Sequence, residues 1–166
     1  LSILDLSPLG HQPMASHDRT LWIVYNGEIY NFRQLRRQLE NEGYRFVSNC
    51  DTEVIIYLYH HYGEKCLQYL RGMFAFAIWD ERRSQLFLAR DRIGQKPLFY
   101  YCDGKHLLFA SEIKALLVDP LVTTQIDPQA LYDYFAYLYV PDPKTIYRDI
   151  RKLEPGHYLV CSPRGI

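Results

Sequence analysis

The sequence predicts an α+β domain in which helices flank two packed antiparallel sheets. Met73-Phe74-Ala75-Phe76-Ala77-Ile78-Trp79 is apolar on both alternating faces, a pattern that suits a strand covered from both sides. Hairpin signals follow one another, the strongest being Asp103-Gly104 between residues 97–101 and 107–110, and consecutive hairpins build antiparallel sheets. Apolar residues at helical spacing interrupt these strands, as in Phe32, Leu35 and Leu39, so helices are left to cover the sheets.

Residues 1–6 read as a first strand. Residues 20–25 are β-branched and aromatic-rich and read as another. This strand is expected to halt at Asn26-Gly27, a pair that favours positive φ, with a sharp turn after it. Asn31 can cap the helix that carries Phe32, Leu35 and Leu39 and stops at Gly43. A second helix is expected to begin at Asp51, whose carboxylate can accept the first free amides. It carries Val54, Ile55, Leu58 and Tyr62 toward the core and ends at Gly63. After the central run, a polar turn over residues 80–84 leads to a strand at 85–89. The hairpin of 97–101 and 107–110 follows, then a helix over 112–118. Asp127-Pro128 places a cap and a first-turn proline in the right order to open a further helix, which Pro141-Asp142-Pro143 ends. Glu154-Pro155-Gly156 makes a last turn before a strand at 157–160.

The chain has 166 residues, enough for one domain, and its 48% hydrophobic content is far from the signature of disorder. Lysine plus arginine number 19 and aspartate plus glutamate also 19, so no excess charge favours nucleic acid or anionic lipid. The apolar runs are far shorter than the ~20 residues that cross a bilayer, so no membrane association is expected. Cys50, Cys66, Cys102 and Cys161 are scattered, without a Cys-x-x-Cys pair; they read as thiols of a reducing cytoplasm. His60 and His61 are adjacent and face different sides of a helix, so no metal site is expected. Leu1 already reads as strand, and Ser162-Pro163-Arg164-Gly165 is turn chemistry that leads onward. Both ends therefore read as truncated.

A collinear set of motifs spans nearly the whole chain. Leu1-Ser2-Ile3-Leu4-Asp5, Asn26-Gly27-Glu28-Ile29-Tyr30-Asn31 and Cys50-Asp51-Thr52-Glu53-Val54-Ile55 come first. Arg71-Gly72-Met73-Phe74-Ala75-Phe76-Ala77, Arg90-Asp91-Arg92-Ile93-Gly94 with Pro97-Leu98, Ser111-Glu112-Ile113-Lys114-Ala115-Leu116 and Leu153-Glu154-Pro155-Gly156-His157 follow. Together they resemble the glutaminase domain of asparagine synthetases, a class II glutamine amidotransferase domain of the N-terminal-nucleophile hydrolase type. The resemblance implies a four-layer αββα sandwich of antiparallel sheets. It also implies a cysteine at the mature N-terminus, whose thiol attacks the glutamine amide with its own α-amino group as base, and an arginine just before the Leu-Ser-Ile strand. Neither residue is in this sequence, so the chain alone is expected to be inactive.

The resemblance assigns the remaining site. Attack on an amide puts negative charge on the former carbonyl oxygen, and the Asn26 side-chain amide with the Gly27 backbone N–H would form the oxyanion hole. Glu28 and Asp51 would hold the substrate α-ammonium, and backbone groups of Leu1, Ile3 and Leu4 would line the same cleft. Taken singly, Asn-Gly is a hairpin turn and Asp51 a helix cap. Cys50 reads as an ordinary thiol, and Arg90-Asp91-Arg92 as a strand-end ion pair fixing the Gly94 turn. No pyrophosphatase motif of the Ser-Gly-Gly-x-Asp-Ser type is present. ATP and magnesium are therefore expected only in a C-terminal synthetase domain of the same polypeptide, and no cofactor in this chain. Glutamine is the expected ligand, and a homodimer is allowed. The alternatives are amidation of another acceptor, a peptide or a polysaccharide precursor, or a non-catalytic regulatory or interaction domain.

Overall fold

A computed structural model describes residue 5, residues 7–163 and residue 165. In chain order its elements are β1 (Met14–Ala15), β2 (Leu21–Ile29), α1 (Phe32–Asn41), α2 (Asp51–Tyr62), β3 (Gly72–Asp80), β4 (Gln85–Arg90), β5 (Phe99–Cys102) and β6 (Leu107–Ala110). They continue with α3 (Ile113–Leu116), α4 (Pro128–Tyr137), β7 (Ile150–Lys152) and β8 (Tyr158–Cys161). The apolar run at 73–79 becomes β3, the middle strand of a five-stranded sheet ordered β1-β2-β3-β4-β8. A three-stranded sheet, β6-β5-β7, faces it, and every pairing within both sheets is antiparallel.

Alternation along the strands sorts the core into three zones. Ile23, Tyr25, Phe74, Phe76, Ile78 and Phe87 pack beneath α1 and α2. Ala75, Ala77 and Leu88 turn the other way, toward Leu98 and toward Tyr100, Leu107 and Phe109 of the smaller sheet. The outer face of that sheet, through Tyr101 and Ile150, packs on Leu116 of α3 and on Val122. The order is helix, sheet, sheet, helix, the αββα sandwich expected. Residues 51–59 of α2 are all buried, polar first turn included. Ile55, Ile56 and Leu58 are 2% exposed or less, each stabilising the fold by roughly 1.5–3 kcal/mol.

Several local expectations are corrected. β2 does not stop at Asn26-Gly27 but runs to Ile29, because β3 pairs with it along its whole length. Asn31 precedes α1, yet its side chain makes no cap; its Nδ2 donates to Tyr69 O and its Oδ1 accepts from Arg71 N, tying the helix start to the approach to β3. Asp51 does not cap α2 either, since Cys50 is the N-cap residue and no side chain caps that end. Glu53 instead gathers the preceding loop, accepting from Val47 N at 2.9 Å, Ser48 N at 2.8 Å and Ser48 Oγ at 2.6 Å. The helix expected over 112–118 shrinks to α3. Asp127 caps α4 as expected, accepting from Gln129 N and Ala130 N. That helix ends at Tyr137, ahead of the prolines, where Leu138 turns left-handed at φ 62°. β1 and β7 were not anticipated. Of the strand expected at residues 1–6 only Asp5 is described, and it is in no strand; the rest lies outside the described residues.

The Arg90-Asp91 pair fixes the Gly94 turn by a different route from the one expected. Asp91 is buried and accepts from the backbone N–H of Phe74, Ile93, Gln95 and Lys96 rather than from an arginine. Arg90 clamps the same loop from outside, donating to Lys96 O, Gly94 O and Leu153 O. Burial pushes the Asp91 carboxyl up, but the backbone donors outweigh it and hold it below its ordinary value. A carboxyl depressed in the folded state stabilises above its unfolded pKa, and that contribution disappears as pH falls through the folded value. Asp91→Asn should therefore cost about 2 kcal/mol at neutral pH. The gap in melting temperature between variant and wild type should close as pH drops below about 4.

Candidate active site

The parity of β2 places the site. Backbone amides alternate direction along a strand. The Tyr25 N–H donates to Gln12 Oε1 at 2.6 Å and the Ile29 N–H to Asp51 Oδ2 at 2.8 Å, so both point away from β3. Gly27, midway between them, sends its N–H to the same edge. β1 pairs only with Trp22 and Ile23 and leaves that stretch uncovered. No acceptor among the described residues takes the Gly27 N–H.

Glycine is required at 27 by proximity rather than by dihedral angle. A Cβ there would stand 2.2 Å from Met73 O and 2.8 Å from Phe74 Cα, both backbone atoms of β3. The Asn-Gly pair is thus a point of close strand approach, not the turn expected.

Asn26 faces the space between the sheets, where its Nδ2 lies 3.4 Å from Ser111 Oγ. That contact is long, and it leaves the amide able to donate elsewhere. A cavity of about 440 Å³ opens at this point, lined by Asn26, Ser111, Val24, Ala75, Leu98 and Phe109 among others. By alternation Glu28 shares this side of β2. It is half-buried, and its carboxylate makes no hydrogen bond among the described residues. Asp51, 5% exposed, reaches β2 from the opposite face. Its Oδ2 accepts from the Tyr25 hydroxyl at 2.7 Å and from Ile29 N, while its Oδ1 accepts nothing among the described residues.

The structure therefore brings Asn26, Gly27, Glu28 and Asp51 to the C-terminal stretch of β2. Leu1, Ile3 and Leu4, expected to line the same cleft, lie outside the described residues. Cys50 is buried beside Ser48, with Sγ 3.0 Å from Ser48 Oγ, and does not open on the cavity. Sequence reasoning missed Gln12, Tyr25 and Ser111. The adjacency of Tyr25 to Asn26 and the place of Ser111 in one of the collinear motifs were the hints available, and neither assigns a role, because the partners are remote in the chain. Among the described residues no group of three or more His, Cys, Asp or Glu could hold a metal ion, and no helix is long and apolar enough to cross a membrane.

This architecture places the chain among the α+β sandwiches of the N-terminal-nucleophile amidotransferases. Glutamine phosphoribosylpyrophosphate amidotransferase from Bacillus subtilis superposes with a TM-score of 0.63 at 28% identity, over 93% of this chain and 30% of that one. More particularly, the chain belongs to the glutamine amidotransferase domain family, whose profile matches residues 1–166. It is 44% identical over 165 residues to asparagine synthetase [glutamine-hydrolyzing] 1 of Bacillus subtilis, covering 99% of this chain and 26% of that protein. It is 42% identical over 163 residues to amidase chry2 of Gibberella zeae, covering 98% of this chain and 24% of that protein. The chain thus spans about a quarter of the length of these curated relatives.

Proposed function

We propose that this chain is the glutaminase domain of a glutamine-hydrolysing asparagine synthetase, releasing ammonia for amidation of aspartate in a C-terminal synthetase domain of the same polypeptide. ATP and magnesium belong to that second domain. The observation that carries this reading is the Gly27 N–H, which meets no acceptor among the described residues, beside the Asn26 amide, in a chain similar along 99% of its length to a glutamine-hydrolysing asparagine synthetase. The nucleophile that the family resemblance implies, a cysteine thiol at a mature N-terminus, is not among these residues. When that thiol adds to the amide carbon, the carbonyl oxygen becomes an oxyanion between Asn26 Nδ2 and Gly27 N. Collapse expels ammonia and leaves a thioester, which water hydrolyses to glutamate. Glu28 and the Oδ1 of Asp51 pair with the substrate α-ammonium, and the buried setting of Asp51 strengthens that charge-assisted bond.

The test uses the full-length polypeptide supplied with glutamine, aspartate and ATP. Glutamate and asparagine should form together, and absence of glutamate formation would refute the reading. Similarity to amidase chry2 favours a second reading in which the acceptor is not aspartate; glutamate release without asparagine formation would select it.

Glu28→Gln and Asp51→Asn should raise the glutamine KM about tenfold or more while changing kcat much less, the signature of lost ground-state binding. Synthesis from free ammonia should be nearly untouched, because it bypasses this site.

A further inference from the structure

We infer that Tyr25 is a positioning residue of the glutamine site, aiming the Asp51 carboxylate at the substrate α-ammonium while its ring forms the floor beneath Gly27. The inference rests on the glutaminase reading above, but it assigns a role to a residue that the family motifs pass over.

Three contacts converge on this one residue, two through its side chain and one through its backbone. Its hydroxyl donates to Asp51 Oδ2 at 2.7 Å across a separation of 26 residues in sequence. Its ring edge lies 2.9 Å from where a Cβ on Gly27 would stand, so it fills the face of β2 directly below the proposed oxyanion donor. Its own N–H is held by Gln12, which fixes the strand from which Asn26 projects. Tyr25 is 6% exposed, within the core beneath α2.

Those contacts decide which carboxylate oxygen has no partner among the described residues. Tyr25 Oη and Ile29 N together saturate Oδ2, so the Asp51 side chain cannot rotate without losing a hydrogen bond to a charged group, worth roughly tenfold or more in equilibrium terms. Oδ1 is thereby presented in one orientation. The hydroxyl stays protonated at neutral pH, since burial, with the Asp51 charge second, pushes its pKa above the ordinary phenol value. It acts as a fixed donor, not as an acid or base.

The experiment compares wild type, Tyr25→Phe, Asp51→Asn and the double variant in the full-length enzyme, with two substrates. One is glutamine and the other is glutaramate, which keeps the amide but lacks the α-amino group. Tyr25→Phe should raise the glutamine KM about tenfold with kcat within about threefold. It should leave kcat/KM for glutaramate unchanged, because that substrate has no ammonium for Asp51 to meet. In the double variant the KM should match that of Asp51→Asn alone, the non-additivity expected of residues acting through one contact.

An unchanged glutamine KM in Tyr25→Phe, with Asp51→Asn still raising it, overturns the positioning role and spares the Asp51 assignment. An unchanged KM in Asp51→Asn overturns both. Equal losses on glutamine and glutaramate would mean that Tyr25 only supports the fold, which also overturns the inference; a lowered rate of ammonia-dependent synthesis would mark the same outcome.

Discussion

Asn26→Ala in the full-length enzyme should lower glutamine hydrolysis by roughly a hundred- to a thousandfold, with most of the loss in kcat. The variant removes a donor that faces the cavity between the sheets and whose sole partner among the described residues is the long contact to Ser111. Little stability is at stake, because that contact is weak and β2 keeps its pairing to β3 through backbone groups. The melting temperature and ammonia-dependent synthesis should both survive. Asn26→Asp should be worse than its shape suggests, since a carboxylate repels the developing oxyanion. If Asn26→Ala hydrolysed glutamine at near wild-type rate with an unchanged melting temperature, the oxyanion assignment would be wrong.

Gly27→Ala should have the opposite profile, with fold and catalysis failing together. The new methyl would lie 2.2 Å from Met73 O and 2.8 Å from Phe74 Cα, neither of which can move without displacing the central strand of the larger sheet. The third obstacle, the Tyr25 ring at 2.9 Å, is anchored through its hydroxyl to Asp51. A clash against backbone on one side and a tethered ring on the other should cost about 4 kcal/mol or more. In a domain of this size that lowers the melting temperature by roughly 8–16 °C. Thermal unfolding followed by circular dichroism reads this directly, and a drop of only a degree or two would show that the strands separate more easily than their register implies.

The strands that carry the core were legible because their alternation is strong. β3, β4 and the β5–β6 hairpin fall within two residues of where the pattern places them. β1 and β7 were invisible because strands of two and three residues carry no alternation to read. The errors at the site share one cause. Asn26-Gly27 and Asp51 were both read by local preference, as a turn and a cap, and both are governed by partners far along the chain. The turn preference yields to β3, and the Asp51 carboxylate leaves its own helix for Tyr25 and Ile29. The identity of the site residues came from collinear motifs. That the Gly27 N–H points away from β3 came only from the fold, since amide direction depends on which neighbours pair with the strand.

The edge of β2 that carries the Tyr25, Gly27 and Ile29 amides is also a ruler. Amides two residues apart on a strand stand about 7 Å from one another, so the distance from Gly27 to Ile29, where Asp51 docks, is set by backbone geometry and cannot be tuned by a side-chain rotamer. For the proposed substrate that interval sets how far the Gly27 anchor of the amide oxygen lies from the point where the Asp51 carboxylate, an anchor of the α-ammonium, is docked. An amino acid amide one methylene shorter would be expected to reach one anchor or the other, but not both. Discrimination between glutamine and asparagine, the very compound the parent enzyme is proposed to make, would then be written into the pitch of a single strand.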